Sequence, residues 1–135
     1  MHELHHNAQH YTALANAAFS ATGRGIPIDC AGAKSVSFLI SVGANAGNAF
    51  SGTDKVTFTV DEGDVSTGTD LSDAAVIATG DYIGAKRETL ADWDRVLDAT
   101  GDDAEAYMIT VRLDGASHKR YRQLVATEGG TVSAV

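Results

Sequence analysis

The sequence has little of several things. One cysteine, Cys30, stands in 135 residues, so no disulfide can form within the chain. Cys30 precedes a strand-like run, where a small buried hydrophobe is the expected role. A cysteine–histidine nucleophile needs a histidine beside it, and nothing in the sequence places Cys30 near His118. Proline is equally scarce: the single Pro27 is expected at a strand start or edge, where its missing N–H does no harm. Aromatic residues make up 7% of the chain. Cations are outnumbered, with 10 Lys and Arg against 18 Asp and Glu and a net charge of −8. That balance opposes nucleic acid, whose phosphates need cationic cover, and anionic membrane surfaces. No apolar run approaches the ~20 residues of a membrane span. The first ten residues are mostly polar and carry no Lys or Arg, so no secretory signal is expected, and synthesis in a cytoplasm is.

What is present begins with MHELHH. His2-Glu3-Leu4-His5-His6 spells H-E-x-x-H, which in metalloproteases places two zinc ligands one helical turn apart with a general base between them. Here the first histidine is residue 2, where no preceding turn holds it and chain ends fray. The longer zinc signature wants Gly and His where this chain has Gln9 and Thr12, and His10 is out of register. No later helix offers a third ligand. A polar N-terminal stretch is therefore expected, with at most adventitious zinc or nickel binding by His2, His5, His6 and His10. No catalytic residue, cofactor or metal is expected.

The length fits one domain with a core of its own. Residues 1–23 are rich in His, Ala, Asn and Thr. Within HYTALANAAF, Leu14, Ala17 and Ala18 form a thin apolar face, and short helices depend on packing. An N-terminal arm over 1–23 is expected, helical in part at most, docking on a partner through His5, His6, His10 and Tyr11.

From residue 24 the signals are those of strands. In KSVSFLISV, Val36, Phe38, Ile40 and Val42 alternate with Ser35, Ser37, Leu39 and Ser41. In DKVTFTVDE, Val56, Phe58 and Val60 alternate with Thr57 and Thr59; in EAYMITVRL, so do Tyr107, Ile109, Val111 and Leu113 with their neighbours. A period of two marks half-buried strands. DAAVIATGDYIG reads as a weaker strand, and a last one runs through Tyr121–Ala126. Residues 86–105 mix signals: Leu90, Trp93, Val96 and Leu97 have helical spacing, which sets a short helix against a strand. Short strands between Gly-rich loops predict an all-β protein, an antiparallel β-sandwich of jelly-roll kind over residues 24–135.

Charged residues cluster. Asp61, Glu62, Asp64, Asp70 and Asp73 lie in one stretch and Asp92, Asp94, Asp98, Asp102 and Asp103 in another. The first lacks the spacing and terminal Glu of an EF-hand, and both read as solvated loops. SHKRYRQ is the one basic segment. On a strand, Arg120 and Arg122 share a face opposite Tyr121. One reading is a solvated face paired with nearby acids. The other is a contact patch for an acidic partner, since the planar guanidinium pairs bidentately with carboxylates.

The order of these segments resembles the head decoration, or cement, proteins of tailed bacteriophages. The resemblance rests on Ile28-Asp29-Cys30-Ala31-Gly32, Val42-Gly43-Ala44, Glu62-Gly63-Asp64 and Lys119-Arg120-Tyr121-Arg122, in that order over residues 20–134. The family places a Trp where this chain has Leu71, and Trp93 lies later. The resemblance implies a non-enzymatic virion protein on the outer capsid surface, bound to the major capsid protein. With it goes an expected homotrimer, in which the Arg120/Arg122 face and the acidic loops offer opposite charges for joining neighbouring copies or the shell. The competing class is a carbohydrate-binding β-sandwich on a virion or cell surface. Such modules expose aromatics to stack on sugars, whereas Phe38, Phe58 and Tyr107 are expected inward.

Overall fold

The computed structural model describes residues 22–41, 51–77, 82–83, 95–97, 106–113 and 118–130. Among them are nine strands and no helix. They are β1 (Gly23–Arg24), β2 (Ile28–Asp29), β3 (Ser35–Ser41), β4 (Lys55–Gly63), β5 (Ala75–Val76), β6 (Tyr82–Ile83), β7 (Arg95–Leu97), β8 (Ala106–Arg112) and β9 (Tyr121–Gly129). All pairings are antiparallel. No helix among the described residues is long and apolar enough to cross a membrane.

β9 and β4 form the spine. They pair over their full length, from Lys55↔Gly129 to Gly63↔Tyr121. β1 and β2 take the other side of β9, while β5 and β7 take the other side of β4. Pro27 falls between β1 and β2, so the ladder needs no N–H from it. The second sheet runs β3-β8-β6, with β3 and β8 paired residue for residue from Ser35↔Arg112 to Ser41↔Ala106.

The period-two pattern turns one face of each long strand inward. Phe38 and Ile40 of β3, Val56, Phe58 and Val60 of β4, Ile109 and Val111 of β8, and Leu124 and Ala126 of β9 form one buried cluster with Ile77. Both sheets therefore contribute to the same core, which contains Phe38, Ile40, Val56, Phe58, Val60, Ile109 and Val111 of the inward residues the alternation predicts; Val36 and Leu113 are partly buried against it, and Val42 and the Tyr107 side chain lie outside what is described. Full burial of each larger side chain contributes roughly 1.5–3 kcal/mol. Leu39 lies on the opposite face of β3 and is 76% exposed, as its position among the serines requires.

Other expectations meet a mixed outcome. The weak strand in DAAVIATGDYIG is two short strands in different sheets, β5 and β6. Arg95–Leu97 is a strand on β4, the strand of the two alternatives open for residues 86–105; Leu90 and Trp93 lie outside the described residues. So do residues 1–21 and the second acidic stretch. Among the described residues the first paired strand is β1, with Gly23 opposite Ala126 and Arg24 opposite Val125.

Candidate functional site

The basic segment enters β9 at the end of the β4–β9 pair, and the acids of 61–73 leave β4 at that same end. Antiparallel pairing brings the two together: Glu62 lies opposite Arg122 and Gly63 opposite Tyr121. β2 adds Asp29, opposite Tyr121 on the other side of β9.

Each cation in the segment is engaged differently. Lys119 Nζ lies 3.1 Å from Asp73 Oδ2 and 3.9 Å from Asp64 Oδ2. Arg120 lies before the first residue of β9 and stays exposed. Its Nε donates to Asp29 Oδ1 at 3.1 Å and its Nη2 to Asp29 Oδ2 at 2.6 Å, a bidentate fork. The same guanidinium lies 5.2 Å from the Tyr121 ring centroid. Arg122 is 0% exposed. Its Nη1 donates to the carbonyls of Lys119 (2.6 Å) and Tyr121 (3.0 Å), and its Nη2 lies 3.0 Å from Glu62 Oε2. Arg122 Nη2 also meets His118 Nδ1 at 3.1 Å.

The acids are structural acceptors. Asp73 receives the backbone N–H groups of Asp64 at 2.9 Å and Val65 at 3.0 Å, which fixes the turn after β4. Those bonds, with that from Lys119, hold its carboxyl at about 2. The Arg120 fork, with the N–H of Ala31, does the same for Asp29, also at about 2. Hydrogen bonding to these carboxylates raises Lys119 and Arg120 in turn. Gly63 sits in the crowded corner: a Cβ there would lie 2.6 Å from Asp73 Oδ1 and 3.3 Å from Leu71 Cβ. A second pair lies on the same sheet, where Arg24 Nη1 contacts buried Asp61 at 3.2 Å.

Beside this cluster is a cleft of about 310 Å³ lined by Cys30, Gly32, Asp64, Leu113, His118 and Arg120. It brings Cys30 and His118 to one place, which the sequence does not reveal. The thiol is nonetheless buried and lies 3.5 Å from the Ile28 carbonyl. Burial raises it above its ordinary value, which disfavours the thiolate a nucleophile needs.

The expected partner contacts separate accordingly. Arg120 is exposed but engaged by Asp29. Arg122 has no exposed surface in the chain: it turns inward beside Leu124, and Glu62 answers its charge. His5, His6, His10 and Tyr11 lie outside the described residues. The loop at 61–73 is not simply solvated, since Asp61 is buried and Glu62, Asp64, Asp70 and Asp73 all have cationic partners. Among the described residues no three or more His, Cys, Asp or Glu are grouped to hold a metal. Sequence reasoning missed the buried Gln123, whose Nε2 donates to the Gly25 carbonyl at 2.7 Å. Its alternation with apolar neighbours gives no sign that both faces of β9 are covered.

Chemically the arrangement is a set of matched charges that fastens the turn after β4 and β2 to the entry of β9. No family model, curated protein or solved structure matches the chain.

Proposed function

We propose that the chain is a head decoration protein of a tailed bacteriophage. On this reading it binds the major capsid protein on the outer surface of the shell and stabilises it. One observation carries the reading: three of the segments whose order resembles that family meet in space. Asp29 holds Arg120, Glu62 holds Arg122, and Asp64 accepts the Arg120 N–H at 3.1 Å. Residues that match for a common reason are expected to share a framework, and these share one. The two sheets around one core suit a β-sandwich of jelly-roll kind, with residues 1–23 as the docking arm. An acidic surface suits a protein outside a DNA-filled shell, since it does not compete for phosphates.

The proposal includes threefold assembly on the particle, which repeats each weak contact and can raise avidity by about 10²–10⁴. Most of the charges of the basic segment and the 61–73 loop are satisfied within the chain. The arm and Arg120 are therefore the contacts to test.

The test is to strip particles of this protein, add back wild type or a chain lacking residues 2–18, and count bound copies. Saturable binding by wild type, weakened by the deletion with the fold intact, supports the reading. Absence of saturable wild-type binding refutes it.

A further inference from the structure

Gln123 has no exposed surface, and its Oε1 has no hydrogen-bond partner among the described residues. Its Nε2 donates to two carbonyls, those of Gly25 at 2.7 Å and Thr69 at 3.4 Å. A carbonyl only accepts, so the amide nitrogen must face both and the oxygen must face something else. Native proteins rarely leave a buried acceptor bare, because desolvating it without a bond costs stability.

Two carboxylates stand at the same place. Gln123 is the direct partner of Asp61 in the β4–β9 ladder, so their side chains lie side by side, with Cβ atoms about 5 Å apart. Both take the face away from the core, since Val60 and Leu124 take the inward side. Thr69, whose carbonyl Gln123 holds, precedes Asp70. The carboxamide is thus fixed beside Asp61 by register and beside Asp70 by the Thr69 bond.

Arg24 shows that the place draws a cation. Its Nη1 lies 3.2 Å from Asp61 Oδ2 and 3.7 Å from Asp70 Oδ1. One nitrogen serves both acids, without a bidentate fork, and the arginine side chain is 41% exposed. Asp70 Oδ1 also accepts the Leu71 N–H at 2.8 Å. Among the described residues, Asp61 Oδ1 and Asp70 Oδ2 receive no donor. Two carboxylates against one guanidinium leave the group one charge negative, in a chain of net charge −8. A water satisfies Gln123 Oε1 but leaves that charge unanswered; a small cation answers both.

We propose that Asp61, Asp70 and Gln123 Oε1 form a calcium site, which the ion enters as Arg24 turns out to solvent. The site has only two acids, and the buried amide makes its third ligand. All three donors are oxygens, the set that hard cations take. Mg²⁺ demands near-ideal octahedral geometry, whereas Ca²⁺ accepts irregular shells completed by water, which suits ligands from two strands and a loop. Two carboxylates are few, so the dissociation constant falls at about 10⁻⁴–10⁻³ M. The bound ion fastens the 64–73 loop to β4 and β9. The site does not depend on the capsid reading, and either can fail alone.

The test is an NMR titration of the full chain with calcium chloride to about ten times that dissociation constant, at fixed ionic strength, with magnesium chloride in parallel. Peaks of Asp61, Thr69, Asp70 and the Gln123 side-chain amide should shift together and saturate, with magnesium about tenfold weaker. Arg24→Gln removes the competing cation and should tighten calcium binding about tenfold. Asp70→Asn keeps an acceptor for the Leu71 N–H and should weaken binding about tenfold or more, with the calcium-free urea midpoint near that of wild type. No saturable shift at these residues, an equal response to both ions, or binding that Arg24→Gln leaves unchanged or weakens overturns the proposal. So does calcium that shifts only other residues, which would assign it to acids elsewhere in the chain.

Discussion

Arg122 Nη2 lies 3.0 Å from Glu62 Oε2 with none of the arginine exposed, at a position where β4 and β9 place the two residues directly opposite. Removing one member of such a pair leaves a charge in a site that water does not reach. Glu62→Ala should therefore destabilise the fold by about 3–5 kcal/mol. Urea denaturation measures it; a loss below about 1 kcal/mol would show that the pair is dispensable.

Arg120 makes a shorter contact, 2.6 Å to Asp29, yet both side chains are about half exposed. Solvent screens such pairs, so this one adds little to the stability of the fold. Arg120→Ala should thus change the urea midpoint little while Glu62→Ala changes it greatly. If Arg120 also contacts the shell, the same substitution lowers the number of copies bound. Unchanged binding would confine it to its pair with Asp29.

Gly63 leaves no room for a side chain between Asp73 and Leu71. Gly63→Ala must displace the Asp73 carboxylate that fixes the turn after β4, at an expected cost of about 1–3 kcal/mol. Amide exchange at Asp64 and Val65, whose N–H groups bond to Asp73, should rise with it. Protection unchanged from wild type would mean that the corner yields without loss.

Acid should loosen the same corner. Asp29 and Asp73 titrate at about 2 in the fold, against an ordinary 3.8. A carboxyl held low in the folded state adds stability that is complete above about pH 4 and is lost as pH falls toward about 2. The raised values of Lys119 and Arg120 add nothing to this acid slope, since both are charged throughout it. Asp73→Asn should therefore flatten the stability–pH curve across that window. A curve parallel to wild type would exclude Asp73 as a source of the slope.

β3 and β4 were legible because each buries mainly one face, which writes a period of two into the sequence, and β8 carries the same alternation; β9 is covered on both faces and shows no such period. Two-residue strands leave no period to read: β1, β2 and β5 exist because a longer neighbour offers an edge. Arg95–Leu97 shows the same effect, with pairing to β4 deciding between helix and strand. The basic segment misled for a different reason. Alternation put Arg120 and Arg122 on one face, but β9 starts at Tyr121, so Arg120 escapes the pleat while Arg122 obeys it and turns inward. A buried cation reads like an exposed one until its counter-charge is known, and Glu62 is supplied by a strand far away in sequence. Asp29, Glu62 and Asp64 were visible as motif residues, but their role as one cluster depended on the sheet order.

Attachment to the outside of a capsid is tested by a cryo-electron microscopy reconstruction of particles that carry this protein. Density for the two-sheet domain is expected at symmetry-related positions on the outer surface, seated on the major capsid protein, with the N-terminal segment at the contact. Density for the chain inside the shell or on the tail, or a bare outer surface on particles shown by mass spectrometry to contain it, would rule that attachment out.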